Sequence, residues 1–403
     1  MNLSEKDKLA VEISKDFYYE GKSQAKIAKE RSMHPSSVSR ILKYALDVGI
    51  VKIEINHKNG PTFTRQKYPE DELVKNFLLK NAIVIELPKA TESGAVGTVG
   101  AKKLDDELHK YLGKATASHL KTILRSDDHM ATGGGRATYN TAIELFDLGS
   151  PPNPSLNQEN ITVTSLNGNS DTRIRARNSP DRYAHMPLDS DVVVIDMAPA
   201  FKSGATPNRM CLPLVGDPEK IKGFKKKQAR LLSKDYWEQN PRKVPNIVLF
   251  GIGAFLGAHR FIEDPKGPIL SHIKSHLSSL KKDSDELGKI CGYIPVGDVC
   301  NRLFFIPPPN GEENLNPRTH ELVNKIKGEI KDINDHLLTI DFKQLEMVNT
   351  VIAVAGGKNK RDAIYHVLTD FEPKGVVDVL VTDKDTAEYL INRRLMGNSF
   401  RPN

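Results

Sequence analysis

The polar residues best suited to bind a large partner lie close together near the N-terminus. Short hydroxyl groups and long cations are interleaved there with apolar residues: Ser36, Ser37, Ser39, Arg40 and Lys43. Serine hydroxyls and an arginine fork can hydrogen-bond to base edges in the major groove of DNA, and lysine can bind its phosphates. Gln24 is placed to touch a phosphate, and Pro35 suits the first turn of a helix. These seven residues form the predicted DNA-binding set.

Helical spacing predicts the element that positions this set. Apolar residues occur at Ala25, Ile27 and Ala28, break between Ser32 and Pro35, and resume at Val38, Ile41, Leu42 and Ala45. Two helices separated by a four-residue turn are typical of a helix-turn-helix. Ser23 stands at the N-cap of the first of them. An amphipathic helix from Glu5 to Glu20 would pack behind the pair, and the alternating residues Ile50 to Ile55 predict a strand after it.

Charge favours the same interpretation. Between Lys22 and Lys43 six basic residues face one acidic residue, Glu30, whereas the whole chain has a net charge of +7. A local cationic excess releases counterions from DNA and gives affinity that does not depend on sequence. A lysine-rich helical hairpin exposed to solvent is the alternative.

A second group of residues lies where predicted strands end. Each of three glycine-bearing turns follows a β-branched run, and two acidic residues also follow apolar segments; the set is Gly133, Gly134, Gly135, Arg136, Gly251, Gly253, Asp298, Gly356, Gly357, Lys360 and Asp383. Glycine N–H groups at the start of a helix can approach an anion, and arginine suits phosphate. Three such turns in one sheet favour one shared polar ligand. The alternatives are a tight strand–helix connection for the first turn, a helix cap for Asp383 and a surface position for Lys360.

Strand–turn–helix repetition predicts the fold that collects these turns. Buried-strand candidates lie at 81–87, just before Thr132, and at 161–166, 246–251, 350–355 and 376–382, and helices are expected at 96–112 and 137–145. This order predicts an α/β domain with a mostly parallel sheet, whose binding crevice lies at the carboxyl ends of the strands. The predicted domains are 1–55 for DNA binding, 56–68 as a linker, and 69–403 for effector binding and oligomerisation.

Six segments together resemble one family. Besides the N-terminal unit, they are TGGGRATYN at 132–140, LFGIGA at 249–254, VGDVCNR at 296–302, VIAVAGGKNKRDAI at 351–364 and VLVTDKDTA at 379–387. In this order they resemble the SorC family of sugar-responsive transcriptional regulators. The resemblance implies a Rossmann-like effector domain similar to sugar-phosphate isomerases and deaminases, a dimer or tetramer, and a sugar or sugar phosphate that alters operator binding. It also implies that Lys360 contacts the sugar or its phosphate.

The chain departs from the family pattern at several positions. Ala137 replaces a usual threonine, so Thr138 is expected to supply the hydroxyl to the ligand. Phe304, Phe305 and Ile306 stand where a carboxylate often occurs, and Ser32 and His34 stand where glycine and a hydroxyl cap are more usual. Extra sequence lies near 170–187 and 307–335.

Composition limits the class of protein. With 38% hydrophobic and 27% charged residues the chain matches a soluble globular protein rather than a disordered one. No apolar run reaches the ~20 residues of a membrane span, and the N-terminus does not read as a signal peptide. Cys211, Cys291 and Cys300 lack metal-ligand spacing, so we expect buried thiols, a cytoplasmic location, no metal and no cofactor. The basic stretch from Lys220 to Lys243 reads as a solvated helix face or, less well, a second DNA contact.

Three functions are compatible with these observations. The first is a non-enzymatic regulator that binds double-stranded operator DNA and a small effector. The second is a sugar-phosphate isomerase or deaminase fused to a DNA-binding module, since fold does not determine function. Such an enzyme needs a general base, and no histidine accompanies Asp298 or Asp383 in a recognisable constellation. The third is a DNA-binding protein whose effector half serves only oligomerisation.

Overall fold

Short N-terminal helices are followed by a large α/β unit. The computed structural model describes residues 5–19, 22–48, 50–51, 54–55, 63–87, 98–149, 156, 158–167, 193–194, 197–201, 206–208, 216–217, 219, 234–241, 244–254, 268–308, 311–372 and 374–399. Within these residues no helix is long and apolar enough to cross a membrane.

The N-terminal helices form the predicted helix-turn-helix. Helix α1 (Glu5–Ser14) continues into a π-helical turn (Lys15–Tyr19), and α2 (Gln24–Glu30) and α3 (Pro35–Asp47) follow. Ile13, Ile27, Val38 and Leu42 pack together as its core. The prediction of one regular helix from 5 to 20 was wrong at its end. There Asp16 accepts hydrogen bonds from Lys22 and Arg31, which ties the wider turn to α2.

Both helix starts in this unit carry side-chain caps. The Ser23 hydroxyl accepts from the backbone N–H of Lys26 at 3.2 Å, as predicted. His34 caps α3, since its Nδ1 accepts from the N–H of Ser36 at 3.3 Å. Ser32 adopts a φ of 53°, the left-handed conformation in which glycine is common. The two unusual turn residues therefore still perform the turn and cap roles.

The α/β unit is built on a nine-stranded sheet in the described residues. Its strands are β1 (Glu54–Ile55), β2 (Phe63–Arg65), β3 (Asn81–Glu86), β4 (His129–Thr132), β5 (Thr162–Ser165), β6 (Thr206–Asn208), β7 (Ile247–Phe250), β11 (Thr350–Val354) and β12 (Val379–Asp383). The spatial order is β1-β2-β3-β12-β11-β7-β4-β5-β6. From β3 to β6 every neighbouring pair is parallel, and only β1 and β2 are antiparallel. The predicted mostly parallel sheet is confirmed.

Helices cover both faces of this sheet. Residues of β11 alternate: Ile352 and Val354 pack towards α5 (Thr98–Ile123) and α6 (Arg136–Gly149), while Val351 and Ala353 pack on the other side. The second face is covered by α4 (Lys67–Phe77), α8 (Pro268–Cys291), α9 (Pro317–Asp335), α10 (Arg361–Thr369) and α11 (Lys384–Ser399). Helix α7 (Lys234–Gln239) contributes the fully buried Trp237 to this core. Burial on both faces explains why these strands read as continuous apolar runs.

A small antiparallel sheet follows strand β7 of the large sheet. Strands β8 (Ile252–Ala254), β9 (Val296–Val299) and β10 (Arg302–Phe305) lie in the order β10-β9-β8. Cys300 and Asn301 join β9 to β10 with φ values of 50° and 65°, a two-residue hairpin turn of the primed type. Because β8 follows β7 after Gly251 alone, the small sheet stands beside the carboxyl edge of the large one.

Several local predictions need correction. The strand expected at 50–55 covers only Glu54–Ile55 in the described residues, and it pairs with β2. The segment 63–68, placed in the linker, forms β2 and the start of α4, because β2 hydrogen-bonds to β3. Cys291 is partly exposed and Cys300 is buried. Cys211, the extra segment 170–187 and most of Lys220 to Lys243 lie outside the described residues.

Candidate functional site

The outer face of α3 presents the predicted DNA-binding set. Ser36, Ser39, Arg40 and Lys43 are exposed, whereas Gln24 and Ser37 are half-buried. The Arg40 guanidinium donates to the Ser36 carbonyl at 3.3 Å and to the Ser37 hydroxyl at 3.4 Å. Since these two partners lie on its own helix, Arg40 can leave them for a base without breaking the fold. Pro35 occupies the first turn of α3 and supports its geometry.

A second cluster forms where β4, β7, β11 and β12 end. These strands are neighbours in the sheet and parallel, so their carboxyl ends meet at one edge. The glycine turns after β4, β7 and β11 therefore come together there, as predicted. We call this edge, with the helix residues that face it, the sheet-edge site.

The turn after β4 is shaped by its glycines. A Cβ on Gly133 would lie 2.6 Å from Sγ of Cys300, and Gly135 has a φ of 125°. Either residue could be replaced by a larger one only with displacement or strain. Thr138 is fully buried, and its hydroxyl donates to the Gly135 carbonyl at 2.9 Å. Its hydroxyl therefore supports the turn.

Arg136 begins α6 and is held by α5. Its Nη1 lies 2.5 Å from Oδ2 of Asp105 and 3.0 Å from Oδ1 of Asp106. The Arg136 side chain is nevertheless 43% exposed. An anionic ligand can therefore reach Arg136 from solvent. It would have to share the positive charge of Arg136 with the two carboxylates.

Lys360 lies inside the site and not on a solvated surface. Its Nζ is 3.0 Å from Nε2 of His109 in α5. Nδ1 of His109 is 2.6 Å from the Asp105 carbonyl, so Nδ1 carries the proton and Nε2 accepts from the lysine. Burial, and then the charge of Arg136, lower the pKa of Lys360, while Asp105, Asp298 and Asp383 oppose this shift. Lys360, Arg136 and three carboxylates are thus within electrostatic range of one another.

Asp298 and Cys300 approach from the small sheet. Asp298 pairs with Gly253 across β8 and β9, and a Cβ on Gly253 would overlap its carboxylate. Burial, reinforced by Asp298, raises the pKa of the Cys300 thiol, which therefore stays protonated at neutral pH. Phe304 packs with His366, Phe342 and Phe371 away from the glycine turns. Phe304 is therefore part of the core, and Phe305 is partly buried against it.

Asp383 holds two elements together at this edge. Its carboxylate accepts from the N–H of Gly357 at 2.7 Å, from the N–H of Thr386 at 3.0 Å and from the Thr386 hydroxyl at 2.7 Å. Gly357 has a φ of 94°, and a Cβ on Gly356 would lie 2.3 Å from the Asp383 carboxylate. Asp383 thus caps α11 and fixes the turn that carries Lys360.

Replacing Asp383 with alanine is expected to lower the free energy of unfolding by about 2–4 kcal/mol, because a buried carboxylate with three accepted hydrogen bonds is removed. Urea denaturation followed by circular dichroism measures this. Asp385→Ala is the matched control, since Asp385 is exposed in the first turn of the same helix. Equal stability of the two variants would contradict the capping role.

His109 predicts a pH dependence of stability. Burial, then the charges of Lys360 and Arg136, lower its pKa from 6.5 to about 3, and its side chain is 1% exposed. The unfolded chain binds this proton below pH 6.5 and the folded chain does not, so stability falls as the pH drops from about 6.5 towards 3. Between pH 7 and pH 5 this one group is expected to account for about 2 kcal/mol.

Urea denaturation at pH 7 and pH 5 tests this expectation. His109→Gln retains a side chain that can accept from Lys360 but does not titrate, so its loss of stability over this range is expected to be smaller by that amount. His320→Gln is the control, because His320 is exposed on α9. A wild-type loss that persists unchanged in His109→Gln would contradict the assignment.

Sequence reasoning missed the contribution of α5 to this site. Asp105 and His109 are four residues apart on a helix, which places them on one face. That spacing was visible in the sequence, but nothing in it indicated that this face turns towards the ends of β4 and β11.

Three other histidines lie apart from one another in the sequence. His129 bonds through Nε2 to the Thr164 hydroxyl at 2.7 Å, while His185 and His259 lie outside the described residues.

Comparison with known proteins identifies this architecture. Residues 324–392, which span most of α9 to most of α11, match the family model for the "Putative sugar-binding domain". The chain is 23% identical to the sorbitol operon regulator of Klebsiella pneumoniae over 392 residues, which is 97% of this chain and 100% of that protein. It is 22% identical to the deoxyribonucleoside regulator of Bacillus subtilis, over 96% and 98% of the two chains.

Solved structures agree with this relationship. The full-length sorbitol operon regulator SorC superposes with a TM-score of 0.50 at 21% sequence identity, over 96% of this chain and 100% of that one. The protein therefore has the fold of the sorbitol operon regulator SorC. It is similar to the sorbitol operon regulator along almost its whole length, and the resemblance to the SorC family is confirmed.

Proposed function

We propose that this protein is a transcription regulator whose affinity for operator DNA changes when a sugar or sugar phosphate binds at the sheet-edge site. The observation that carries the proposal is the presence, in one chain, of an exposed recognition helix and a site where the ends of four parallel strands converge. Two relatives along almost the whole chain are named the sorbitol operon regulator and the deoxyribonucleoside regulator, which supports a carbohydrate effector.

On the DNA side, α3 enters the major groove. Ser36, Ser37, Ser39 and Arg40 contact bases or fix the register, while Gln24 and Lys43 hold phosphates. The hydrophobic contacts of Val38 and Leu42 with Ile13 and Ile27 keep α3 rigid on its support. Rigid support matters because base readout depends on hydrogen-bond geometry.

On the effector side, the glycine turns supply N–H groups and Lys360 and Arg136 supply charge. The backbone N–H groups of Gly134 and Gly135 lie at the start of α6, where the helix dipole favours an anion, whereas the N–H of Gly133 donates to the Leu249 carbonyl. Asp298 can accept from sugar hydroxyls, since its carboxylate is only partly buried. Gly251, Gly253, Gly356 and Gly357 keep the floor of the site free of side chains.

These two binding functions assign a role to each part of the chain. The N-terminal helices bind DNA, and the unit that includes β2 and α4 binds the effector and assembles the oligomer, with β1 and β2 extending the effector sheet at the junction. A homodimer or homotetramer would place recognition helices about 34 Å apart, one turn of DNA, on a palindromic operator.

Binding to labelled DNA from upstream of the protein's own gene tests the proposal. Fluorescence anisotropy is measured at two salt concentrations, with and without a panel of sugars, polyols and sugar phosphates. We expect binding that weakens with salt, exceeds binding to scrambled DNA, and is shifted by one compound. Sequence-indifferent binding that no compound changes would favour a domain used for oligomerisation alone. Absence of DNA binding together with turnover of a sugar phosphate would favour the enzyme.

A further inference from the structure

Three histidines lie together on the second face of the α/β unit, in the described residues of α8 and α9. His272 and His276 are one turn apart on α8, with ring centres 4.2 Å apart. Their Nε2 atoms are 3.0 Å apart. His336, at the C-cap of α9, has its ring centre 5.2 Å from that of His272. We call these residues the histidine cluster.

The second ring nitrogen of His276 has a carboxylate partner. Its Nδ1 is hydrogen-bonded to Oε2 of Glu329 on α9, and both side chains are largely buried, with exposed fractions of 19% and 14%. A carboxylate fixes the proton on Nδ1 and leaves the Nε2 lone pair pointing at His272. This carboxylate–histidine arrangement is the one that orients metal-ligating histidines in proteins.

His336 is oriented in a comparable way. Its Nδ1 is 2.8 Å from the Asp332 carbonyl, so Nδ1 donates and Nε2 retains its lone pair. Within the described residues no three ligand side chains already surround a point at metal distance, so His336 is a neighbour of the pair and not a preformed third ligand. The cluster therefore offers two imidazole lone pairs, and Glu329 orients the ring that carries one of them.

We propose that His272 and His276 chelate a transition-metal dication of the zinc, nickel and copper class, with Glu329 as the positioning residue. Ligands about 2.0–2.1 Å from the ion lie about 2.9 Å apart in square-planar geometry and about 3.3 Å apart in tetrahedral geometry. The observed Nε2 separation of 3.0 Å falls between these values. On binding, His272 would move its proton from Nε2 to Nδ1 by exchange with solvent, so that both rings stay neutral and both Nε2 lone pairs bind the ion, and water would complete the coordination.

Such an ion would add a rigid link within α8 at the point where Glu329 joins it to α9. Calcium and magnesium are disfavoured, because they prefer oxygen ligands and the pair offers nitrogen. The site is separate from the sheet-edge site, since neither α8 histidine contributes to the contacts described there. The proposal therefore stands independently of the proposed function.

Titration of the full-length, chelator-treated protein with zinc chloride and nickel chloride tests the proposal. Isothermal titration calorimetry is expected to show one ion per chain, and thermal unfolding is expected to shift upward with the ion. His272→Gln and His276→Gln are each expected to lower the affinity at least tenfold, and Glu329→Gln about ten- to hundredfold.

His320→Gln is the matched control, because His320 is a single exposed histidine on α9 whose Nδ1 lies 3.2 Å from the Asn324 amide. Unfolding in the presence of chelator establishes that every variant is folded. Unchanged affinity in His272→Gln and His276→Gln, or equal loss in His320→Gln, would overturn the proposal. So would the absence of binding to the wild-type protein, which would leave a histidine–histidine hydrogen bond as the only role of the pair.

Discussion

Replacing Arg40 with alanine is expected to weaken operator binding about ten- to hundredfold, the cost of losing one good bidentate contact to a base. The free energy of unfolding is expected to stay unchanged. Arg40 is exposed, and among the described residues its side chain bonds to two residues of its own helix, Ser36 and Ser37. Anisotropy titrations of operator and scrambled DNA, at fixed salt, give both the affinity and the specificity ratio.

Arg125→Ala is the control for this experiment. Arg125 is exposed between α5 and β4, at the opposite end of the sheet from the strand ends that form the site, so the variant removes the same charge without touching α3. A loss in Arg40→Ala that is equal for operator and scrambled DNA would assign Arg40 to phosphate and not to a base. Operator affinity that is unchanged would remove Arg40 from the DNA-binding set.

Replacing Lys360 with glutamine is expected to lower effector affinity about ten- to hundredfold, because a charged hydrogen bond in a partly buried site contributes about 1.5–3 kcal/mol. Glutamine retains a donor for Nε2 of His109, so the turn is expected to persist. Operator binding without effector is expected to match the wild type. The measurement is a titration of the protein–DNA complex with the compound identified in the panel.

Lys358→Gln provides the control, since Lys358 is exposed two residues earlier in the same 3₁₀ turn. Removal of its charge changes the long-range field by a comparable amount but leaves the contact with His109 intact. Equal losses in both variants would indicate an effect of net charge alone. An unaltered effector response in Lys360→Gln would place the ligand away from this lysine.

These two experiments separate the two halves of the proposed function. If Arg40→Ala loses operator binding, and Lys360→Gln loses effector affinity but keeps operator binding, the protein has two sites that can be altered one at a time. Coupling between them is then a difference in effector affinity between the DNA-bound and free conformations, and the same factor must describe the effect of DNA on effector binding.

Element types along the chain were predictable from local patterns. β-Branched runs identified β3, β7, β11 and β12, because a strand buried on both faces is apolar throughout. The cap at Ser23 and the first turn at Pro35 were also predictable, since both depend on chemistry within one turn of helix. The end of α1 and the segment 63–68 were not, because a π turn tied by Asp16 and a strand paired with β3 depend on contacts with distant residues.

By itself, the sequence determined that a helix-turn-helix precedes a parallel α/β sheet and that three glycine turns end its strands, because helical periodicity, strand composition and turn chemistry are local properties. Only the tertiary structure decided which side chains surround these turns and how they are paired. It brought His109 of α5 to Lys360 across 251 positions, tied Arg136 to Asp105 and Asp106, and gave Asp383 a capping role. Pairing between distant helices and strands depends on packing, which no local pattern encodes, and the histidine cluster between α8 and α9 arises for the same reason.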